Sequence, residues 1–84
     1  MFTSAYPNPF KDNVVIKYRV EGASNVTIAV YNTNGKQVKV LANQKQQAGM
    51  YSTNWNASGM PSGVYFINTI INGTNAQSLR IVKE

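Results

Sequence analysis

The sequence contains neither cysteine nor histidine among its 84 residues. Without cysteine there are no disulfides, no thiolate nucleophiles and no cysteine-based zinc sites. Without histidine the usual general base and the commonest metal ligand are also missing. These absences exclude most catalytic and metal-centred functions, and they leave hydrophobic burial to supply most of the stability.

Carboxylates are also scarce, since Asp12, Glu21 and Glu84 are the only acidic residues and lie far apart in the sequence. Paired-carboxylate catalysis and calcium binding both need carboxylates that act together. No serine is followed three residues later by lysine, so the Ser-x-x-Lys nucleophile pattern is missing too. We therefore predict that the chain is not an enzyme and holds no cofactor or metal ion.

No apolar run approaches the roughly 18 residues that a membrane-spanning helix requires. The eight lysine and arginine residues give a net charge of +5, but they are spread along the chain. A nucleic-acid interface needs such charges in a cluster, whereas single lysines on strands mainly prevent aggregation between sheet edges. We expect no membrane span and no nucleic-acid partner. A chain this short forms one thin core, so residues 1–84 are predicted to be a single domain.

What the sequence does contain is a β pattern, in which alternating apolar and polar runs recur about every eight to twelve residues. Strands are predicted over residues 13–20 and 25–33. The residues predicted to face the core are Val14, Ile16, Tyr18, Val20, Val26, Ile28 and Val30. Asn34-Gly35 predicts a two-residue type I′ turn into a strand over residues 36–42. Polar residues 43–47 are predicted to form an exposed loop.

The second half continues the pattern, with a strand over residues 49–56 in which Trp55 is predicted to anchor the core. A corner over residues 57–63 leads to a strand over 64–71, and after Asn72-Gly73 the last strand covers 76–83. This last strand is predicted to offer the core Leu79 and either Ile81 or Val82.

The opening of the chain has two prolines, which forbid regular ladder pairing, so residues 6–10 are predicted to be an extended or kinked lead-in, and the first strand is predicted to be short and interrupted by proline. Phe10 and Tyr6 are expected to close the end of the core. Seven short strands joined by short turns predict an all-β fold, a seven-stranded antiparallel immunoglobulin-like β-sandwich. An open barrel is the alternative.

Four stretches in this order resemble the C-terminal sorting domain of the Por, or type IX, secretion system of Bacteroidetes-type bacteria. The stretches are Tyr-Pro-Asn-Pro-Phe at 6–10, the hairpin at 30–38, the corner and strand at 60–66, and the basic-apolar ending at 80–84. The resemblance implies a domain at the C-terminus of a larger exported protein. It would act as a sorting signal that the outer-membrane translocon recognises.

The resemblance also implies partners and a destination. A sortase commonly removes the domain, and the cargo is often joined to anionic lipopolysaccharide at the cell surface, so export through the periplasm to the surface or medium is expected. The family's signature glycine and tyrosine fall on Gly63 and Tyr65. Its terminal signal falls on the last strand, over Leu79, Arg80, Ile81, Val82 and Lys83.

Each of these residues also has a structural explanation. Gly63 suits a corner that needs positive φ or room for a neighbouring strand, and Tyr65 suits the core with its hydroxyl at the edge. The last strand is expected at a sheet edge, where unpaired backbone groups would be open to pairing with a receptor.

Two other functions remain open from the sequence. Tyr31, Tyr51, Trp55 and Tyr65 would suit a carbohydrate-binding module if several of them faced outward, although their alternation argues against one continuous stripe. A structural spacer is the other alternative, because the pattern of strands is also similar to the immunoglobulin-like domain of flagellar hook-capping proteins. The opening motif and the position of the last strand favour sorting.

Overall fold

The computed structural model describes residues 3–84, which form seven β-strands. The strands are β1 Thr3–Tyr6, β2 Asn13–Val20, β3 Ser24–Tyr31, β4 Gln37–Gln46, β5 Gly49–Asn56, β6 Gly63–Ile71 and β7 Thr74–Lys83. Over these residues no helix has the length and hydrophobicity that crossing a membrane requires. Met1 and Phe2 lie outside the described residues.

The strands form two antiparallel sheets that pack face to face. The three-stranded sheet has the order β1-β2-β5, and the four-stranded sheet has the order β4-β3-β6-β7. The predicted seven-stranded antiparallel sandwich of the immunoglobulin-like kind is therefore confirmed.

The core lies between the sheets and follows the period-two alternation of the strands. All seven side chains predicted to face inward from β2 and β3 are at most 2% exposed. Trp55 is buried at 3% exposure, as predicted. Full burial of a valine, isoleucine or phenylalanine contributes about 1.5–3 kcal/mol each, so this set stabilises a domain that has no disulfide.

The turn at Asn34-Gly35 joins β3 to β4 as predicted, but the predicted type I′ geometry is wrong. Gly35 has φ of 80°, whereas Asn34 does not have positive φ. The Gly35 N–H donates to the Asn32 carbonyl at 3.0 Å and the Asn32 N–H to the Lys36 carbonyl at 2.9 Å, which closes a three-residue loop. The Asn32 side-chain oxygen accepts from the N–H groups of Asn34 and Lys36, and this favours the longer loop.

The predicted exposed loop over residues 43–47 is also wrong, because β4 continues through Gln46. Gln46 pairs with Ser24 and is buried, and its side-chain oxygen accepts a hydrogen bond from the Tyr18 hydroxyl at 3.1 Å. The polar composition misled the prediction because β4 is an edge strand. Its backbone pairs with β3 while several of its side chains stay in water.

Two ends of the sandwich can be distinguished. At the tail end β6 begins, β7 ends, and the connections 7–12, 32–36 and 57–62 meet. At the far end lie the short turns 21–23, 47–48 and 72–73. Phe10 closes the core at the tail end at 1% exposure, as predicted, whereas the same prediction for Tyr6 is wrong, since this residue is 46% exposed.

Candidate functional site at the tail end

The seven predicted site residues meet at the tail end in one ladder between β6 and β7. Gly63 pairs with Lys83, Tyr65 with Ile81, and Leu79 with Ile67. Arg80 and Val82 occupy the positions between them on β7. Residues that lie up to twenty positions apart in the chain are thus brought to one corner of the four-stranded sheet.

The backbone conformation at position 63 requires a glycine. Its φ of 139° lies in a region that side chains rarely adopt, and a Cβ placed there would meet no atom within 4 Å. Of the two explanations offered by the sequence, positive φ is therefore correct and room for a neighbouring strand is wrong.

Tyr65 is a core residue with its hydroxyl at the end of the sandwich. The side chain is 4% exposed, and the ring packs edge-on against Trp55 with 5.1 Å between ring centroids. The hydroxyl donates to the Pro61 carbonyl at 2.6 Å, which ties the corner to the start of β6. A partner that docks on the folded domain would find little of this side chain.

The last strand divides into an inward and an outward set. Ile81 is fully buried, and Leu79 is half-buried against the same core. Arg80 is exposed and Val82 half-buried on the opposite face, while Lys83 is half-buried at the end of the strand. Only part of the predicted terminal signal is thus available to a partner.

β7 is an edge strand, as expected, but the backbone at its end is not open. Residues 7–10, here called the strap, run beside it. The Asn8 side chain donates to the Arg80 carbonyl at 3.2 Å and accepts from the Val82 N–H at 3.0 Å. The Phe10 N–H donates to the Val82 carbonyl at 2.9 Å, and the Glu84 N–H donates to the Phe10 carbonyl at 2.8 Å. The expectation of unpaired backbone groups is wrong for these four groups.

The sequence explains why a side chain takes this role. Pro7 and Pro9 have no N–H to donate, so the strap cannot pair as an ordinary strand. Asn8 lies between them, and its side-chain amide supplies one donor and one acceptor in place of the backbone N–H and C=O groups of a paired strand. Sequence reasoning identified the lead-in and its packing residue Phe10, but it missed that the lead-in covers the end of β7.

A comparison with known families identifies the family of the chain. The family model described as the secretion system C-terminal sorting domain matches residues 4–84. The chain belongs to this family. It is a C-terminal sorting signal for type IX secretion, a class of domain that is recognised by the secretion machinery and is not catalytic. The comparison with curated proteins gives no match.

The sorting domain has an open cavity of about 600 Å³ at its tail end. Two of the four stretches that carry the resemblance line it, the loop from Asn32 to Val38 and the corner from Met60 to Tyr65. Within residues 3–84 no three His, Cys, Asp or Glu side chains are grouped so that they could hold a metal ion. The chemistry available here is hydrogen bonding, packing and positive charge.

Trp55 and the three tyrosines considered above for carbohydrate binding do not form one platform. Trp55 and Tyr65 are buried, and Tyr51 and Tyr31 are half-buried on different sheets. The geometry therefore favours sorting over the carbohydrate alternative, in agreement with the family.

Proposed function

We propose that the type IX machinery recognises this sorting domain in its folded form, through the outward side chains at the end of β7. Arg80 and Val82 are the central contacts and Lys83 lies beside them. In this proposal Gly63, Tyr65, Leu79 and Ile81 build the surface without touching the receptor. The observation that carries the proposal is the strap. It pairs with backbone N–H and C=O groups at the end of β7 and leaves the outward side chains as the groups to be recognised.

The proposal extends to the destination of the cargo. The machinery would carry an upstream cargo through the outer membrane, and a sortase would then remove the domain and join the cargo to anionic lipopolysaccharide. The chain has no cysteine or histidine, which is consistent with a partner performing the cleavage and transfer. A surface-attached cargo from which the 9.3 kDa domain has been removed is the expected product.

Truncation of the tail is a poor test of this proposal. Deletion of residues 79–84 removes Ile81 from the core and the partners of Asn8 and Phe10. The shortened domain is expected to unfold, and loss of export would then say nothing about recognition.

A cleaner experiment fuses the intact domain to a periplasmic reporter in a type IX-competent bacterium and compares two double variants. Arg80→Gln with Lys83→Gln removes two charges from the tail end, and Lys17→Gln with Arg19→Gln removes two charges from the outer face of the three-stranded sheet. We expect export of the wild type and of the second variant, and loss of export for the first. Equal export of both variants would contradict recognition at the tail.

A further inference from the structure

The two outer faces of the sandwich differ in chemistry. On the three-stranded sheet the outward side chains of the central strand β2 include Lys17 and Arg19, and the outward side chains of β5 are mostly Ser and Asn. On the four-stranded sheet three of the four outward side chains of β6 are apolar, namely Val64, Phe66 and Ile70. The outward positions of β3 are divided, because Ala29 and Tyr31 are apolar whereas Asn25 and Thr27 are polar, and Ala29 is fully buried.

The apolar side chains form two neighbouring rows near the tail end of the four-stranded sheet, and the next row toward the far end is polar at Asn68 and Ser78. Tyr31 pairs directly with Phe66, and Phe66 pairs with Arg80, so an aromatic pair and a cation form one row across three strands. Val64 and Val82 form the adjacent row toward the tail end, and Val40 of β4 is 39% exposed beside Ala29. The outward side chains of Tyr31, Val64, Phe66 and Val82, with Val40 at the edge, are here called the apolar face.

The charged side chains on the strands of the apolar face have one sign, and the exposed Glu84 follows directly after β7. None of the four strands that build it, all within the described residues, contains Asp or Glu. Arg80 lies at one edge of the face, and Lys45 lies near the opposite edge, where it pairs with Asn25. A partner that covers this face would gain by placing apolar side chains over Phe66 and carboxylates near Arg80.

We propose that the apolar face is the docking surface for the sorting machinery, and that the partner protein presents apolar side chains bordered by carboxylates. This inference rests on the proposed function and extends the recognition surface from the end of β7 to the outer face of the four-stranded sheet. Arg80 and Val82 belong to both, since they end the last strand and complete the rows of the apolar face. The docking residues added by the inference are Tyr31 and Phe66, which no terminal motif includes.

The first test uses the reporter fusion and replaces single apolar side chains on each outer face of the sorting domain. Phe66→Thr and Tyr31→Thr remove the aromatic pair but keep a residue that favours strands. Met50→Thr is the matched control, because Met50 is 64% exposed on the opposite outer face. We expect export to fall about tenfold for Phe66→Thr, the loss typical of a central aromatic contact, and to stay unchanged for Met50→Thr.

The second test addresses the charge of the partner. Arg80→Glu should reduce export further than Arg80→Gln, because reversal adds repulsion between carboxylates to the lost attraction. Arg19→Glu on the opposite face should leave export unchanged. Equal export of Arg80→Glu and Arg80→Gln would contradict a carboxylate-bearing partner.

The outcomes separate this inference from the proposed function. If the wild-type fusion is not exported, the proposed function fails. Circular dichroism and urea unfolding first establish that Phe66→Thr and Tyr31→Thr are folded. If the wild type is exported and these two variants are exported equally well, the inference about the apolar face is overturned. Sedimentation of the purified domain supplies a third outcome: a dimer that Phe66→Thr dissociates would assign the face to a second copy of the chain and would also overturn the inference.

Discussion

The same three-residue pattern builds a corner at each end of the sandwich. Gly49-Met50-Tyr51 begins β5 at the far end, and Gly63-Val64-Tyr65 begins β6 at the tail end. Both glycines have positive φ, at 156° and 139°. Both tyrosine hydroxyls donate to the carbonyl four residues earlier, Tyr51 to Gln47 at 2.7 Å and Tyr65 to Pro61 at 2.6 Å.

The two corners differ in what the tyrosine ring contacts. Tyr65 is buried against Trp55 in the core, whereas Tyr51 is half-buried and stacks on Tyr18 with 5.6 Å between ring centroids. Because the pattern recurs away from the tail end, it serves to start a strand at both ends of the sandwich. In line with the proposed function, we expect Gly63 and Tyr65 to act through the fold and the outward side chains to make the contacts with the receptor.

The largest expected difference is between the two tyrosine-to-alanine variants. Tyr65→Ala should lower the free energy of unfolding by about 3–5 kcal/mol, because it leaves a cavity beside Trp55. Tyr51→Ala should cost about 1–2 kcal/mol, because its ring already contacts water. Urea unfolding followed by tryptophan fluorescence measures both values, and equal losses would contradict the difference in burial.

The glycine variants should behave alike at the two ends. Gly63→Ala and Gly49→Ala should each cost about 1–2 kcal/mol, since the added methyl group meets only open space or ordinary contacts and the penalty is that of the backbone. The same urea experiment provides the values. An unchanged midpoint for either variant would show that its backbone does not need glycine.

Removal of the hydroxyl alone should have a smaller effect. Tyr65→Phe should cost about 1 kcal/mol, because the partly buried Pro61 carbonyl loses its donor. Tyr51→Phe should cost less, because water can replace the donor at the exposed Gln47 carbonyl. A larger loss for Tyr51→Phe would reverse the ranking of the two corners.

The smallest effect concerns alkaline pH and is confined to the far end. Burial raises the pKa of Tyr18 above its ordinary value of 10.0, against the opposing hydrogen bond with Gln46. The folded state therefore holds the proton more tightly than the unfolded state, so the contribution of Tyr18 to the free energy of unfolding should be constant below pH 10 and fall above it. Tyr18→Phe should flatten this decline, and an equally steep decline in that variant would assign it to other groups.

The core strands could be predicted from the sequence because one face of β2 and of β3 is buried, which forces strict alternation. The two Asn-Gly pairs show the limit of local reasoning. Asn72-Gly73 forms the two-residue turn with positive φ at both positions, whereas Asn34-Gly35 does not. The difference arises because the side chain of Asn32 accepts two nearby backbone hydrogen bonds, a detail that the dipeptide alone does not contain.

The candidate site was predictable in its members but not in its arrangement. The terminal residues follow from the family resemblance, and the alternation of Ile81 against Arg80 and Val82 follows from strand geometry. The strap could not be predicted, because it joins Asn8 to residues more than seventy positions later through a side chain. The apolar face likewise depends on which strands are neighbours, and β3 and β6 become neighbours only in the folded sheet.

We propose that the sorting machinery contacts outward side chains at the tail end of the folded domain, and that Gly63 and Tyr65 only shape this end. The most direct measurement compares the exported fraction of the reporter fused to Tyr65→Phe and to Arg80→Gln, with each domain verified as folded at the growth temperature. We expect export of Tyr65→Phe at the wild-type level and a marked loss for Arg80→Gln. Folded Tyr65→Phe that stays in the periplasm, together with normal export of Arg80→Gln, would contradict it.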